Sequence, residues 1–199
     1  PQTARVSAAQ PATTEPQFQT LLLSTGSKLS YRVMLPDGYS DRSPSPVVVA
    51  LPPGDQSRSM VEAGIARYWS AGAAKGWVVI SPAAVDGTSF VDLPESLFAE
   101  FLDAVTTLYP PEGGKVHLAG VSNGGRSSLR LATLMPTRFQ SILALPGFAP
   151  TAADFERLQA IACPVRIIVG ERDTKWVKEA NATIDRLQSL GKDAFIDIR

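Results

Sequence analysis

A serine set between two glycines is the feature of this sequence that points most directly to chemistry. Residues 120 to 124 read GVSNG, with Ser122 at the centre. The apolar run of residues 116 to 121 indicates a buried strand, and residues 126 to 135 have the pattern of a helix. A serine on a tight turn between strand and helix projects its hydroxyl above the sheet, and a side chain in place of either glycine would strike neighbouring backbone. The pattern predicts a nucleophilic serine, with a structural glycine-rich turn as the alternative.

The elements that must position this serine alternate along the chain. Residues 18 to 23 and 29 to 35 predict an antiparallel hairpin at a sheet edge. Further strands are predicted over residues 47–51, 77–80, 116–121, 141–145, 165–169 and 194–199, and helices over 59–75, 94–109, 126–135, 152–158 and 175–190. Ser59 and Glu62 have the spacing of a capping box that opens the first helix. The order predicts one α/β domain with a mostly parallel sheet and helices on both faces.

Polar residues follow three of the predicted parallel strands, at the point where each strand ends. They are Ser122, the turn of residues 52 to 55, and Asp173. Reactive groups of parallel sheets collect at the carboxyl edge. We therefore expect these residues to meet at one rim although the sequence separates them.

The segments GVSNGG, ALPPGD and VGERD resemble those of the α/β-hydrolase superfamily, over the chain from about residue 18 to its last residue. Within it the chain is most similar to the secreted esterases grouped with feruloyl esterases, polyhydroxyalkanoate depolymerases and dienelactone hydrolases. The resemblance implies a serine hydrolase that cleaves carboxylic esters through an acyl-enzyme, with a catalytic triad in the order serine, acid, histidine. It makes Ser122 the nucleophile and Asp173 the acid, with Glu171 as the alternative acid. Asp86 and Asp92 are interpreted as turn or capping residues, with substrate contact as the alternative.

An acyl-transfer enzyme also needs two amide donors for the oxyanion that forms during the reaction. The resemblance assigns one donor to the amide of Asn123. The second is expected from the turn after residue 51, where Pro52 and Pro53 have no amide hydrogen, which leaves Gly54 or Asp55. This turn departs from the His-Gly that the family usually has there.

The general base is missing from this pattern. The one histidine, His117, lies inside the strand that leads to Ser122, about 16 Å away along the backbone, which is beyond the reach of a hydrogen bond. It is interpreted as a packed histidine. In the family the base follows the last strand, so three explanations stay open: a fragment or cleaved chain whose C-terminal segment carries the histidine, an omitted remainder, or a pseudoenzyme. We expect the domain of residues 17–199 to be C-terminally incomplete.

The composition limits the classes of partner. The chain has 199 residues, of which 44% are hydrophobic, and its formal net charge is zero, so neither nucleic acid nor an anionic membrane is expected as a partner. No apolar run approaches the length of a membrane span, about 20 residues. One histidine and one cysteine, Cys163, cannot make a usual metal site, so no metal and no cofactor is expected. Cys163 itself is interpreted as a buried spacer, with a reactive thiol as the alternative.

Residues 1 to 16 are rich in Ala, Thr, Gln and Pro and predict a flexible leader, which suits a secreted or periplasmic protein. Residues 145 to 163 leave room for one short helix and for no sizeable lid domain, which predicts an open site for short acyl esters or polymer-linked esters.

Trp176, near Asp173, is a candidate for substrate binding, with core packing as the alternative. The competing function is a hydrolase-like binding or scaffold protein that lacks the base.

Overall fold

Residues 17 to 199, which the computed structural model describes, form an eight-stranded sheet flanked by helices. The strands are β1 Gln19–Leu22, β2 Lys28–Met34, β3 Val47–Leu51, β4 Val78–Pro82, β5 Val116–Val121, β6 Phe139–Leu145, β7 Val165–Val169 and β8 Ala194–Ile198. The helices are α1 Arg58–Gly64, α2 Ser70–Ala74, α3 Glu95–Leu108, α4 Asn123–Leu134, α5 Ala152–Arg157 and α6 Thr174–Ser189. The predicted flexible leader lies outside the described residues.

The sheet runs in the order β1-β2-β4-β3-β5-β6-β7-β8. The pairs β1–β2 and β2–β4 are antiparallel, and all pairs from β4 to β8 are parallel. Helix α4 packs on the sheet face that contains Gly120, and α2 packs on the face of Val79, whose register partner Val48 pairs with His117. The prediction of an α/β fold with a mostly parallel sheet and helices on both faces is confirmed.

Continuous apolar strands account for the parallel part of the sheet. β3 reads VVVAL and β4 reads VVISP, and all five residues of β4 are buried. A strand that is covered on both faces has no reason to alternate polar with apolar residues. The helices add large side chains to this core, among them Phe98, Phe101 and Leu129, which are completely buried.

The start of the first helix differs from the prediction. Helix α1 begins at Arg58 with Ser57 at its N-cap, and the Ser57 side chain makes no capping hydrogen bond. The Ser59 hydroxyl lies inside the helix, 2.9 Å from the Ser57 hydroxyl. The capping box was wrong because the Asp55 carboxylate accepts a hydrogen bond from the Ser57 amide and starts the helix earlier. A π-helical turn, Ile65–Trp69, joins α1 to α2.

None of the helices within residues 17 to 199 combines the length and apolar character that a membrane crossing requires.

Candidate active site

Ser122 occupies the turn between β5 and α4 in a strained backbone conformation. Its φ is 55° and its ψ is −115°, which few residues with a side chain adopt. Its amide donates to the Leu145 carbonyl at 3.2 Å, and its own carbonyl accepts from the Arg126 amide at 3.1 Å. Such conformations cost about 1–3 kcal/mol and persist where surrounding contacts hold them. The turn therefore keeps a half-buried hydroxyl at the carboxyl edge of the sheet.

Glycines allow this turn to pack closely against its neighbours. A Cβ on Gly120 would lie closer than 3.0 Å to the Gly124 carbonyl, and one on Gly124 closer than 3.0 Å to the Leu51 carbonyl. A Cβ on Gly125 would meet the Pro146 carbonyl in the same way. The glycine pattern thus lets α4 begin directly against the ends of β3, β5 and β6.

The turn after β3 lies beside the serine turn. The Asn123 side chain donates from Nδ2 to the Gly54 carbonyl at 2.9 Å, which joins the two segments. Within residues 17 to 199, the amides of Gly54 and Asp55 have no backbone acceptor. Hydrogen bonds from the Ser57 hydroxyl and then its amide hold the pKa of the exposed Asp55 carboxyl below its usual value, and the amide of Asp55 itself adds to this.

Gln56 is a site-supporting residue that sequence reasoning missed. It is completely buried and has a φ of 60°. Its Nε2 donates to the Ser127 hydroxyl at 3.1 Å, its Oε1 accepts from the Phe90 amide at 2.8 Å, and its carbonyl accepts from the Ala84 amide at 2.7 Å. It therefore fixes the turn after β3 to helix α4 and to the loop after β4. A glutamine in a polar turn carries no sequence signal for such burial.

Asp173 follows β7 and stands at the N-cap of α6. It is exposed, and its amide donates to the Gly170 carbonyl at 3.0 Å. Its carboxylate accepts no hydrogen bond from residues 17 to 199. Because only β6 separates β5 from β7, the strands that lead to Ser122 and Asp173 lie about 10 Å apart. The other acidic candidate, Glu171, is also exposed, and its amide donates to the Arg199 carbonyl at 2.7 Å.

His117 lies away from this edge. Its Nδ1 is 2.7 Å from the Ser141 hydroxyl, and its ring meets Trp77 edge-on with centroids 4.8 Å apart. It lines a cavity of about 400 Å³ between α2 and the sheet. Burial lowers the pKa of His117 below its usual value, while Glu112 acts in the opposite direction. The structure therefore places the serine, the acid and the two candidate amide turns at the same edge of the sheet, and this histidine away from it.

A second cavity, of about 550 Å³, is lined in part by Arg126, which stands on α4 four residues after Ser122. It is lined by Arg126, Phe148, Ala149, Pro150, Thr151, Ala152, Phe155, Glu156, Lys175 and Glu179. Trp176, the predicted substrate contact, packs edge-on against Phe148 with ring centroids 5.0 Å apart. The tryptophan thus supports the wall of this cavity through Phe148.

A buried ion pair holds one wall of the second cavity in place. Both carboxylate oxygens of Asp154, a completely buried residue, accept hydrogen bonds from Arg130 Nη1, at 2.8 and 3.0 Å. The Thr151 hydroxyl donates to the same carboxylate at 2.6 Å. The pair ties the segment after β6 to helix α4. It joins residues 24 apart in sequence, so local patterns could not reveal it.

The other candidate residues, Asp86, Asp92 and Cys163, lie in environments that suit a structural role. Asp92 accepts a hydrogen bond from the Ser89 hydroxyl at 2.8 Å within the loop, and Asp86 is an exposed turn residue with a φ of 49°. Cys163 is half-buried, and burial raises the pKa of its thiol, which disfavours the reactive thiolate. Among residues 17 to 199, no group of three or more His, Cys, Asp or Glu side chains could hold a metal ion.

The parallel sheet, the strained serine turn and the flanking helices define the α/β-hydrolase class. A family model described as "Esterase: Putative esterase" matches residues 23–193. The chain belongs to this family. No curated protein matched the chain.

Solved structures with the same fold include esterases and peptidases. A thermostable esterase is 17% identical with a TM-score of 0.70, over 92% of this chain and 54% of that one. A ferulic acid esterase is 17% identical with a TM-score of 0.67, over 93% and 90%. A dipeptidyl peptidase 4 from Porphyromonas gingivalis is 13% identical with a TM-score of 0.72, over 92% and 31%. The chain thus spans about half of the thermostable esterase and a third of the peptidase, and at these identities the likeness concerns the fold.

Proposed function

We propose that this protein is a serine hydrolase that cleaves carboxylic esters through an acyl-enzyme. The observation that carries the proposal is the strained turn that holds Ser122 at the carboxyl edge of the sheet, next to the Gly54 amide, which has no backbone acceptor within residues 17 to 199, and on the same edge as Asp173. Membership of the esterase family supports it. In this proposal Ser122 is the nucleophile, and Asp173 orients the base.

The serine hydroxyl attacks the ester carbonyl carbon, and the carbonyl oxygen becomes an oxyanion. The amide of Asn123, at the start of α4, is one donor to that oxygen. Gly54 is the better second donor because the amide of Asp55 faces its own carboxylate. Collapse of the intermediate expels the alcohol and leaves an acyl-serine, which water then hydrolyses.

The base in this proposal is a histidine from a segment outside residues 17 to 199, a complementary C-terminal segment. Its ring would stand between Ser122 and Asp173, where the strand spacing of about 10 Å leaves room for an imidazole and a hydrogen bond on either side. The Asp173 carboxylate, which accepts no hydrogen bond from residues 17 to 199, suits this role. His117 is unsuited to it because it is bonded to Ser141 within the sheet.

The substrates in this proposal are short acyl esters or polymer-linked esters. The segment between β6 and β7 contains helix α5, of six residues, and a short 3-10 turn, Leu158–Ala160, so it supplies no large cover for the serine. A site without a large cover admits a small ester or an ester bond on a polymer surface.

A non-catalytic binding or scaffold role is the second candidate. The position of His117 favours it, since residues 17 to 199 place no imidazole beside Ser122. The two candidates differ in whether the serine hydroxyl is activated.

A fluorophosphonate label and a hydrolysis series test the proposal. An activated serine reacts with the label, so we expect one adduct on Ser122 and none on Ser122→Ala. The hydrolysis of p-nitrophenyl acetate and longer homologues should fall at least about a thousandfold in that variant. Ser189→Ala, which changes an exposed serine at the end of α6, is the control and should keep label and rate. An unlabelled wild-type protein, or a rate that Ser122→Ala leaves unchanged, favours the non-catalytic role.

A further inference from the structure

The second cavity lies between the helix of the proposed nucleophile and the helix of the proposed acid. Arg126 stands on α4 one turn after Ser122, and its amide donates to the Ser122 carbonyl. Lys175 stands on α6 two residues after Asp173. Arg126 thus lines this cavity of about 550 Å³ and is also hydrogen-bonded to the serine turn, so the cavity lies within one helical turn of Ser122 along the chain.

Arg126 is a half-buried cation that has no anionic partner in the part of the chain that the structure describes. Within residues 17 to 199, its buried Nε has no hydrogen-bond partner, and its Nη1 donates to the Asn123 side-chain oxygen at 3.4 Å. Among residues 17 to 199, no carboxylate lies within 4.0 Å of its guanidinium. By contrast Arg130, one turn further along α4, binds Asp154 at 2.8 Å. Withdrawing a guanidinium from water without an anion is unfavourable, so Arg126 is poised for an external one.

Each of the other charged residues of the cavity has a residue of opposite charge near it. Glu156 lies 3.8 Å from Arg186, which is outside the cavity lining, and Glu179 stands one helical turn after Lys175, a spacing at which opposite charges attract. The positive charge of Arg126 remains. The guanidinium lies 5.2 Å from the centre of the Phe148 ring, which presents an apolar surface for a carbon chain.

We propose that this cavity binds a carboxylate group of the substrate through Arg126, so that the preferred substrates are monoesters of dicarboxylic acids. The inference rests on the proposed function, because it places the ester group at Ser122. Arg126 stands one helical turn, about 6 Å of rise, after the start of α4 at the serine turn, so we expect a short diacid of about five or six carbons. The chain of the diacid lies on Phe148, and the free carboxylate accepts hydrogen bonds from the guanidinium.

Calorimetric titration of the Ser122→Ala protein tests this site without turnover. We expect monoethyl adipate to bind about 10- to 100-fold more tightly than ethyl adipamate, its neutral isostere, because a charge-assisted hydrogen bond is lost in the amide. Adding Arg126→Met should abolish the preference, and Arg126→Lys should retain part of it. Lys178→Met, which removes an exposed cation of α6 outside the cavity, is the control and should retain all of it.

Several outcomes would overturn the inference. They are equal binding of the two esters, binding of neither, or a preference that survives Arg126→Met. A melting curve shows whether each variant is folded. If the Arg126→Met protein does not fold, the reduced preference of the Arg126→Lys protein tests the inference instead.

Protection from the fluorophosphonate separates this inference from the proposed function. Monoethyl adipate should slow the labelling of Ser122 in the wild-type protein, and ethyl adipamate should not. If the fluorophosphonate labels Ser122 and monoethyl adipate does not slow this reaction, the carboxylate site is overturned but the proposed hydrolase function is not. Selective binding of monoethyl adipate to a protein that the label never modifies supports the site and overturns the proposed hydrolase.

Discussion

At the candidate site, single residues have strained backbone conformations, and one polar side chain is completely buried. Both features are unfavourable unless other contacts stabilise them. Ser122 and Gln56 both have a positive φ, and Gln56 is completely buried. Each is held by hydrogen bonds to other segments, Ser122 to Leu145 and Gln56 to Ser127. Residues that only such contacts can stabilise are sensitive to small changes.

Gln56→Leu should destabilise the fold and disturb the turn after β3. The leucine fills the same space but leaves the Phe90 amide without its acceptor, at a cost of about 1–3 kcal/mol in the free energy of unfolding. Urea denaturation measures this loss, and any ester hydrolysis should fall with it. Gln140→Leu, at an exposed position of β6, is the control and should change the unfolding free energy by less than about 0.5 kcal/mol. Equal effects of the two substitutions would contradict the proposed role of Gln56.

At the scale of elements, the site depends on how closely α4 approaches the sheet and on how the segment after β6 is tied to α4. Gly125 allows the first contact, and the Asp154–Arg130 pair makes the second. Both involve elements that are distant in sequence. Each contact can be removed by one substitution.

Gly125→Ala should destabilise the protein because its Cβ would lie closer than 3.0 Å to the Pro146 carbonyl, which belongs to backbone and cannot rotate away. Forced overpacking costs about 1–3 kcal/mol. Gly64→Ala is the matched control: it also lies in a helix, and its Cβ would meet its nearest neighbour at an ordinary 3.7 Å. It should be neutral or stabilise by up to about 1 kcal/mol. Thermal melting of both variants measures the difference. A Gly125→Ala protein with an unchanged melting temperature would refute the close approach of α4 to the Pro146 carbonyl.

Asp154→Asn should cost about 3–5 kcal/mol, since it leaves Arg130 without its buried partner. It should also loosen the wall of the second cavity, which limited proteolysis of the segment after β6 can detect. The control is Asp103→Asn, whose carboxylate is exposed and pairs with Arg138 on the surface. A loss below about 1 kcal/mol is expected there. If Asp154→Asn is as mild as Asp103→Asn, the pair does not anchor the segment.

At the scale of the whole molecule, the packed His117 makes the stability of the fold depend on pH. His117 lies on the sheet face toward α2, with Trp77 and Ser141 around it. Because the 199-residue sequence contains one histidine, an imidazole titration of this chain belongs to His117. The molecule thus offers a clean test of how burial affects titration.

The stability should fall as the pH drops below about 6.5. Burial lowers the pKa of His117 in the folded protein below its unfolded value of 6.5, so the unfolded chain binds the proton more readily. The contribution is fully present above pH 6.5 and is lost as the pH falls from 6.5 through the folded pKa. The imidazole resonance in proton NMR gives that pKa directly. His117→Gln should remove this part of the pH dependence in urea denaturation, and a folded pKa above 6.5 would contradict it.

The sequence by itself determined the features that depend on neighbouring residues. Strands β3 and β7 match their predicted bounds of 47–51 and 165–169, because continuous apolar runs specify buried strands locally. The glycine pattern around Ser122 located the turn, and strand alternation gave the parallel sheet. The predicted start of α1 was wrong, because the Asp55 carboxylate, outside the helix, accepts a hydrogen bond from the Ser57 amide at the N-cap.

Only the tertiary structure decided which distant side chains meet. Gln56 and Ser127 are 71 residues apart, and the guanidinium of Arg126 lies over the ring of Phe148 from another segment. A glutamine or an arginine has the same local pattern whether it is buried or solvated, so the sequence gives no sign of either arrangement. Strand pairing sets these contacts, since the order of β3, β5, β6 and β7 fixes which chain ends share an edge.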